Sequence, residues 1–218
     1  MIAWLRSAAP DAFPDPSRAL EEPNGLLAAG GDLSPERLLA AYRRGIFPWY
    51  SPGQQILWWS PDPREVLWPA KFHVSRSLQR ELARSLHEIR LDTSFREVVT
   101  RCAAPRARSP GTWITPEMRA AYLRLHELGH AHSIEVWRRG HLVGGLYGVR
   151  VGRIFCGESM FSREPGTSKL ALAHLAHTAA ATGIELIDCQ LESRHLRSLG
   201  SEAMPRAEFL RLLRAGLQ

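Results

Sequence analysis

Three consecutive apolar segments separated by short turns constrain the fold of this chain more than any other feature of its sequence. The two turns contain Gly140 and Gly152, and apolar runs bounded by glycine and polar residues are typical of buried strands joined as hairpins. A helical segment and a further apolar strand follow. This order predicts an antiparallel meander of three strands that one helix connects to a fourth strand. The five elements are predicted over residues 131–137, 141–149, 153–160, 168–182 and 185–190.

The N-terminal part of the chain has a different composition, rich in proline, glycine and tryptophan. Phe13-Pro14-Asp15-Pro16 excludes regular structure where it lies, because proline fixes φ and lacks a backbone donor. One helix is predicted there, with Ser34-Pro35 at its start and Gly45 at its end. We therefore expect two domains, a small N-terminal domain over residues 1–65 and a larger domain over residues 66–218.

Helices are also predicted in the larger domain, beside its strands. Ser94 and Glu97 have capping-box spacing, which favours a helix that begins there and ends near Cys102. Thr115-Pro116 favours the start of another helix, which ends at Gly129. The mixture of helices and strands indicates the α+β class. The remaining predicted elements are a strand from residue 66, a helix over 75–87, a strand over 89–91 and short helices near 193–199 and 205–214.

Arginine dominates the charge of this chain. The formal net charge is +6, and only two of the 28 cationic residues, Lys71 and Lys169, are lysines. Arginine binds phosphate bidentately and stacks on bases, and the seven tryptophans add stacking platforms, a combination typical of proteins that bind single-stranded nucleic acid. Genome composition also produces an arginine-rich balance, so the charge alone leaves both interpretations open.

Three of these arginines, Arg76, Arg80 and Arg84, recur every four residues on the predicted helix over 75–87. This spacing places them on one face of the helix, where they either contact the phosphates of a nucleic acid or form a solvated surface. We keep the three arginines as candidate phosphate contacts.

Cofactor and membrane signals are absent from the sequence. The cysteines, Cys102, Cys156 and Cys189, do not have the pattern of a disulfide framework, and neither they nor the histidines have zinc-ligand spacing. No run of about 18 apolar residues predicts a transmembrane helix. The N-terminus lacks the basic and apolar regions of a secretory signal. We therefore expect a cytoplasmic protein without a metal or a membrane segment.

Glu158, Asp188 and Gln190 are polar residues near the ends of two predicted strands. A buried carboxylate needs a partner or a chemical role, because burial of an unpaired charge is costly. Asp188 and Gln190 are two positions apart, so they share a face of an extended strand. They either satisfy backbone groups of nearby loops or form, with Glu158, a site suited to acyl transfer.

The predicted meander, helix and strand resemble the core of GCN5-related N-acetyltransferases. The loop Arg163-Glu164-Pro165-Gly166-Thr167-Ser168 strengthens this resemblance, since it approximates the turn by which those enzymes bind the pyrophosphate of CoA at a helix N-terminus. Its last residue is serine where those enzymes have glycine or alanine. A CoA-dependent N-acetyltransferase is therefore one functional hypothesis. A non-catalytic RNA-binding module, indicated by charge and tryptophans alone, is another.

A narrower set of motifs extends from about residue 13 to about residue 210. The set includes Tyr-Arg-Arg-Gly-Ile-Phe-Pro-Trp, Trp-Trp-Ser-Pro and Asp-Cys-Gln, and in this order the motifs resemble leucyl/phenylalanyl-tRNA–protein transferases. They lie at residues 25–33, 42–49, 58–61, 112–114, 145–148, 157–163, 168–169 and 188–190.

The resemblance implies an acetyltransferase-like domain that carries a small N-terminal domain. It implies transfer of leucine or phenylalanine, and less well methionine, from aminoacyl-tRNA to the α-amine of proteins with N-terminal lysine or arginine. That transfer marks the acceptor proteins for degradation by the N-end rule. The resemblance implies no cofactor, no membrane partner and a monomer.

The same resemblance assigns roles to the polar residues. Gln190 contacts the incoming amine and Asp188 polarises Gln190. Glu158 binds an amino group. Separately, the cationic side chain of the acceptor needs a carboxylate partner, Glu158 or Asp188, and we favour Glu158 because Asp188 has Gln190 as its neighbour. No covalent nucleophile is required, because the aminoacyl ester is already activated. Trp49 and Trp113 are the candidates that stack on the terminal adenine.

The donor amino acid requires an apolar pocket. Two leucines and an alanine at i, i+3 and i+7 of the predicted helix share one face, and residues of neighbouring strands complete the candidate set. Ordinary core packing is the alternative. Strict alternation places Phe155 and Glu158 on opposite faces of their strand, so we expect a bulge near Gly157. The candidates are Leu146, Phe155, Leu172, Leu175, Ala179 and Ile187.

Overall fold

The computed structural model describes residues 2–84, 86–104 and 112–217, which form a mixed α/β structure with two sheets. Ser85, within the predicted helix over 75–87, lies outside the described residues. The smaller sheet contains β1 (Ala3–Leu5), β2 (Leu26–Gly30), β3 (Phe47–Pro48) and β4 (Leu57–Trp59). Its order is β1-β2-β4-β3, with β1 and β2 parallel and the other pairs antiparallel.

The larger sheet has seven strands in the described residues. They are β5 (Arg64–Leu67), β6 (Glu88–Leu91), β7 (Ala131–Arg138), β8 (His141–Val151), β9 (Ile154–Ser162), β10 (Leu186–Gln190) and β11 (Glu202–Met204). Their order across the sheet is β11-β5-β10-β9-β8-β7-β6. Strands β7, β8 and β9 form an antiparallel meander, and β10 joins β9 in parallel. The predicted meander and the strand after the helix are therefore confirmed, and the structure adds the parallel pairing of that strand with β9.

Helices cover both faces of the meander. Their bounds are α1 (Pro35–Tyr42), α2 (Arg76–Arg84), α3 (Phe95–Cys102), α4 (Pro116–Glu127), α5 (Thr167–Thr182), α6 (Arg194–Arg197) and α7 (Arg206–Gly216). Helix α5 connects β9 to β10 and packs on one face, while α3 and α4 pack on the other. Successive residues of β8 point to opposite faces of the sheet. Leu146 therefore belongs to the apolar cluster that contains residues of α5, and Tyr147 belongs to the cluster that contains residues of α3 and α4.

The predicted helices are present, but one predicted cap is wrong. Thr115 caps α4 by accepting a hydrogen bond from a backbone N–H of its first turn at 3.2 Å. Ser94 does not cap α3 with its side chain, and Glu97 pairs with an arginine one turn later. The Ser94 N–H instead donates to Glu135 Oε1 at 2.8 Å, because this fully buried carboxylate requires donors.

The smaller sheet is the part of the fold that the sequence patterns do not predict. Its strands are two to five residues long. Trp58 anchors it, with its ring fully buried and its Nε1 donating to the Gly30 carbonyl at 2.9 Å. One apolar cluster contains Trp58 together with Tyr147 of the larger sheet. The division into domains over residues 1–65 and 66–218 stays a prediction.

Strands β9 and β10 separate at one end, and this separation positions the functional site. Their last registered pair is Asp188 with Cys156. Beyond that pair β9 continues along β8, whereas β10 ends at Gln190, whose φ of +65° lies in the left-handed region. We call the opening between the two strands the fork.

Candidate active site

A cavity of about 1110 Å³ occupies the fork. Four of the sequence candidates do not line it. Ala179 is buried in the neighbouring apolar cluster, and Arg76, Arg80 and Arg84 lie exposed on α2. Ten of the candidates do line it, and they are Glu158, Asp188, Gln190, Leu146, Phe155, Leu172, Leu175, Ile187, Trp49 and Trp113.

A β-bulge brings Glu158 into the cavity. The register between β8 and β9 shifts after the pair Gly148–Gly157, so that Glu158 is the extra residue of β9. This is the bulge expected near Gly157, and Phe155 and Glu158 line the same cavity. Gly148 is required here, because a Cβ at this position would lie 2.5 Å from the ring of Phe155.

Glu158 is buried between two phenol groups. Tyr42 Oη donates to Glu158 Oε1 at 2.7 Å, and Tyr122 Oη donates to Glu158 Oε2 at 2.6 Å. The two phenol oxygens are themselves 2.7 Å apart. We call these three side chains the tyrosine–glutamate ring. The ring contains three oxygen–oxygen contacts, and each needs one proton. When Glu158 is ionised, the two phenols supply only two protons, whereas a protonated Glu158 supplies the third.

The surroundings of Glu158 also set its titration. Burial raises the pKa of Glu158 to about 7. Hydrogen bonds from Tyr122, Tyr42 and Gln190 act in the opposite direction, and the charge of Asp188 adds to the increase. Burial and the charge of Glu158 raise the pKa of both phenols well above the usual value. Glu158 is therefore the group of the ring that titrates near neutral pH.

Asp188 has a different partner, a buried arginine. Arg64 Nε donates to Asp188 Oδ1 and Arg64 Nη2 donates to Oδ2, each at 2.7 Å. Asp188 Oδ1 also accepts the backbone N–H of Gln190 at 2.9 Å. The carboxylate thus contacts the backbone of Gln190 instead of its side-chain amide, which corrects the predicted polarisation. The guanidinium therefore binds both oxygens of Asp188 in a bidentate pair.

Gln190 links the two carboxylates. Its backbone is bound to Asp188, and its Nε2 donates to Glu158 Oε1 at 2.8 Å. A register shift between Asp188 and Gln190 interrupts the strict alternation that the sequence predicts. One N–H of Nε2 is bound to Glu158, so the amide oxygen and the second N–H of Gln190 are the groups that its side chain can offer to a substrate.

The apolar part of the cavity lies between α5 and the strands around the fork. Strands β8, β9 and β10 and helices α5 and α6 all contribute to it. Met160 and Leu196 line it as well and are not among the sequence candidates. The apolar side chains that line the cavity include Leu146, Phe155, Met160, Leu172, Leu175, Ile187 and Leu196.

Aromatic and cationic side chains complete the lining. Trp49 is 40% exposed and packs edge-on against Trp59, with ring centroids 5.5 Å apart. Trp113 lines the same cavity, so both predicted stacking residues have access to one ligand. Arg101 and Arg163 also line it, which places positive charge beside the aromatic rings.

Sequence spacing misses three residues that shape this site, Tyr42, Arg64 and Tyr122. Tyr42 and Glu158 are 116 positions apart, and Arg64 and Asp188 are 124 apart, so local patterns carry no information about these contacts. One signal was available. Arg64 lies two positions before the apolar residues Val66 and Leu67, and an arginine there suits a buried carboxylate that needs a partner.

Metal-binding clusters and membrane-spanning helices are both absent from the described part of the chain. No group of three or more histidine, cysteine, aspartate or glutamate side chains is placed there to hold a metal ion. No helix in that same part has both the length and the apolar character needed to cross a membrane.

The chain matches known proteins over nearly its whole length. The family model of the leucyl/phenylalanyl-tRNA protein transferase matches residues 66–214, and the model of that protein's N-terminal domain matches residues 31–62. The leucyl/phenylalanyl-tRNA–protein transferase of Aromatoleum aromaticum is 61% identical over 96% of this chain and 87% of its own length. That of Nitrosomonas europaea is 56% identical over 98% of this chain and 89% of its own length.

Similar solved structures are much more distant. A GCN5-related N-acetyltransferase from Kribbella flavida is 14% identical with a TM-score of 0.42, over 78% of this chain and 61% of that chain. L-PGS from Bacillus licheniformis is 12% identical with the same TM-score, over 77% of this chain and 54% of that chain. Likenesses of this size carry no argument about activity. The family match does, and this chain belongs to the leucyl/phenylalanyl-tRNA–protein transferases, a family of aminoacyltransferases.

Proposed function

We propose that this transferase moves leucine or phenylalanine, and less well methionine, from aminoacyl-tRNA to the α-amine of proteins with N-terminal lysine or arginine. The transfer marks those proteins for degradation by the N-end rule. The observation that carries the proposal is the hydrogen bond between Gln190 Nε2 and Glu158 Oε1 across the fork, beside the apolar lining of the same cavity. A polar pair next to an apolar pocket suits an apolar aminoacyl ester held beside an attacking amine.

The donor occupies the apolar part of the cavity with its amino acid side chain. Leu172 and Leu175 of α5 and Phe155 of β9 line that pocket. The terminal adenine stacks on Trp49 or Trp113, and base–aromatic stacking of this kind contributes about 1–3 kcal/mol. Apolar lining favours leucine and phenylalanine over polar amino acids, because burial of a polar side chain against apolar groups is costly.

Phosphate contacts account for the rest of donor binding in this proposal. Arg101, which pairs with Glu97 at 3.0 Å, and Arg163 line the cavity and are our candidates for the phosphates closest to the ester. Arg76, Arg80 and Arg84 are exposed and do not line the cavity, so they are candidates for phosphates farther along the tRNA. Such contacts read little sequence and weaken as salt concentration increases.

The reaction needs one bond formed, one broken and one proton moved. The acceptor nitrogen attacks the ester carbonyl carbon, the C–N bond forms, and the bond to the 3′ oxygen of the terminal adenosine breaks. The amide oxygen of Gln190 accepts a hydrogen bond from the amine and orients it. Glu158 takes the proton that the nitrogen loses, and that proton returns to the departing 3′ oxygen. No covalent enzyme intermediate is involved.

Glu158 suits the role of proton acceptor better than Asp188. Its pKa of about 7 allows it to be ionised before the attack and protonated after it. The tyrosine–glutamate ring satisfies every contact once the proton has arrived. Asp188 already has both oxygens bound by Arg64. Asp188 therefore holds Gln190 in place and does not take part in proton transfer.

This assignment changes the role that the sequence suggests for Glu158 as the reader of the acceptor's cationic side chain. Glu158 is 9% exposed and accepts three hydrogen bonds from internal donors. Glu192 also lines the cavity with a side chain that is 71% exposed, and its Oε1 lies 3.6 Å from Arg197 Nε. We therefore assign the preference for N-terminal lysine or arginine to this exposed carboxylate.

CoA-dependent acetyl transfer is less well supported. Binding of a pyrophosphate at the N-terminus of α5 requires backbone N–H groups that point to the ligand. The N–H of Ser168 donates to Ser162 Oγ at 2.9 Å, and the N–H of Thr167 donates to the Glu164 carbonyl at 3.3 Å. Two of the required donors are therefore occupied.

The remaining expectations belong to the same proposal. A small N-terminal domain over residues 1–65 contributes Tyr42 and Trp49 to the site of a catalytic domain over residues 66–218. The protein acts as a monomer in the cytoplasm on aminoacyl-tRNA and on acceptor proteins, without a cofactor.

A label-transfer assay tests the proposal. The protein is incubated with tRNA carrying labelled leucine, or with labelled acetyl-CoA, and with matched peptides that begin with arginine or with an uncharged residue. We expect leucine label on the arginine peptide alone. Acetyl label on a peptide would identify an acetyltransferase. Leucyl-tRNA binding without any transfer would identify an RNA-binding protein, and equal labelling of both peptides would remove the preference for a cationic residue.

A further inference from the structure

Arg64 is a fully buried arginine at the inner end of the fork. It is the first residue of β5, which pairs with β10 so that Val66 lies opposite Asp188. Its side chain is 1% exposed. Two of its nitrogen atoms bind Asp188, and the third, Nη1, donates to the carbonyl of Gly45 at 3.2 Å. The Asp188 carboxylate raises the pKa of Arg64 against the lowering effect of burial, so the guanidinium stays charged.

Two aromatic rings fix the plane of this guanidinium. The Cζ atom of Arg64 lies 4.8 Å from the ring centroid of Phe47 in β3 and 4.8 Å from that of Phe209 in α7. Gly45 leaves room for this packing, because it has a φ of +71° and a Cβ there would lie 3.0 Å from the ring of Phe209. Both the smaller sheet and the C-terminal helix therefore hold one side chain in place.

The contacts continue from Arg64 to the reacting groups. Arg64 orients the carboxylate of Asp188, and Asp188 Oδ1 accepts the backbone N–H of Gln190 at 2.9 Å. Gln190 has a φ of +65°, a conformation that residues other than glycine seldom adopt without support from neighbouring groups. Its side chain then reaches Glu158 at 2.8 Å. The orientation of the Gln190 amide thus depends on the ion pair.

We propose that Arg64 is a positioning residue for aminoacyl transfer, which acts through Asp188 to fix the Gln190 backbone and to neutralise the second carboxylate beside Glu158. This inference rests on the transfer proposed above. Arg64 touches neither substrate in this scheme. Its contribution is the bidentate geometry, which lysine cannot reproduce, and the positive charge, which lysine retains.

Substitution by lysine tests the geometry. Arg64→Lys is expected to lower kcat about a hundredfold, the loss that follows from misplacement of a reacting group, and to leave KM for leucyl-tRNA within about twofold. Arg37→Lys is the matched control, because Arg37 is also fully buried and donates to the Arg6 carbonyl at 2.6 Å, away from the fork. Equal kcat values for the two variants would overturn the proposal.

Removal of the positive charge of Arg64 tests its neutralising role through the pH–rate profile, which a purely structural role of Arg64 would leave unchanged. Arg64→Gln leaves the charge of Asp188 uncompensated beside Glu158, so the ascending part of the pH–rate profile is expected to shift to higher pH. Arg64→Lys keeps the charge and should keep the wild-type position of that ascending part. An unshifted profile in a folded, slow Arg64→Gln variant would overturn the neutralising role.

A double variant covers the case in which Arg64→Gln does not fold. Arg64→Gln/Asp188→Asn replaces the ion pair by two amides and keeps an oxygen for the Gln190 N–H. It is expected to fold and to exceed the kcat of Arg64→Lys, and a double variant that folds but transfers no faster would overturn the proposal. The wild-type protein is assayed in parallel. Failure of wild-type transfer would count against the proposed function, whereas wild-type transfer with an unchanged Arg64→Lys variant would count against Arg64 alone.

Discussion

The two carboxylates of the fork are both buried, yet their surroundings differ in kind. Asp188 faces a full positive charge, the guanidinium of Arg64, at 2.7 Å on both oxygens. Glu158 faces only neutral donors, the phenols of Tyr42 and Tyr122 and the amide of Gln190. A cationic partner keeps a buried carboxylate ionised, whereas neutral donors offset only part of the cost of burial. Both carboxylates are buried, so the difference in their proposed roles, positioning for Asp188 and proton exchange for Glu158, follows from their partners.

This difference also explains why the two residues sit on neighbouring strands. Asp188 lies at the last registered pair of β9 and β10, where the sheet is still closed. Glu158 lies on the bulge just beyond that pair, where the strands diverge and the cavity begins. The closed sheet excludes water from the ion pair, and the fork gives Glu158 access to a substrate. Variants that alter one side only should therefore separate stability from transfer.

The largest effect is expected for the Asp188 side. Asp188→Ala leaves Arg64 charged and unpaired between two aromatic rings, which should lower the free energy of unfolding by about 3–5 kcal/mol. Urea unfolding of the variant and the wild type measures this loss. Transfer should fall as well, because Gln190 loses the acceptor of its backbone N–H.

A double variant provides the control for that prediction. Arg64→Met/Asp188→Leu replaces both charges with apolar groups, and such replacements of buried ion pairs are often close to neutral for stability. The double variant should recover most of the stability but not the transfer activity. If the free energy of unfolding of Asp188→Ala lies within about 1 kcal/mol of the wild-type value, the ion pair between Arg64 and Asp188 does not stabilise the fold as expected.

The Glu158 side should show the opposite pattern, a large loss of activity with little loss of stability. Glu158→Gln cannot accept a proton, and removal of a general base typically lowers the rate about 10²–10⁴-fold. The amide can still accept from Tyr42 and donate to Tyr122, so the ring of contacts remains closed. The wild-type rate at saturating substrates should rise with pH through about 7, the pKa of Glu158, and the variant should lose this dependence. A fast variant with the same dependence would exclude Glu158 as the proton acceptor.

The same substitution should change how stability depends on pH. The folded protein holds the Glu158 proton up to about pH 7, whereas a glutamate ordinarily releases it near 4.5. The folded state therefore binds more protons between these values, and the contribution of this group to stability decreases as pH rises through the window. The decrease should amount to about 3 kcal/mol. Urea unfolding at several pH values should show this component in the wild type and not in Glu158→Gln.

The sequence predicts the larger sheet well because its strands are long, apolar and joined by tight turns. Residues 131–160 contain local signals for β7, β8, β9 and both turns, so the meander follows from pattern alone. The strand after α5 is predicted as well, but its parallel pairing with β9 and the short strand β11 are not. The smaller sheet lacks such local signals. Its strand β3, for example, has two residues, and one of them is proline. Its strands are determined by packing around Trp58 instead of by periodicity.

The site was predictable as a set of residues but not as a set of contacts. Alternation along β9 indicates the bulge at Glu158, and spacing brings Asp188 and Gln190 to one strand end. It does not reveal that Gln190 adopts a left-handed φ, which directs its amide to Glu158. The partners of both carboxylates, Arg64 and the two tyrosines, come from distant segments whose meeting is a property of the fold.

The smallest effect is expected for three arginines that, unlike the buried Arg64, are exposed to solvent. Arg76, Arg80 and Arg84 lie exposed on α2, and among the described residues of the chain only Arg84 of the three makes an ion pair, with Glu81 at 3.4 Å. If they contact tRNA phosphates, their replacement by glutamine should weaken tRNA binding at low salt and reduce the slope of log K against log salt by about 2–3, at about 0.7–0.9 per phosphate lost. Single-turnover transfer at saturating tRNA should not change, since the fork is untouched. Replacement of Arg211 and Arg214 on α7, which are also exposed, is the matched control. A salt slope that stays at the wild-type value in the α2 variant, or that falls equally in the α7 variant, would assign these arginines to an ordinary solvated surface.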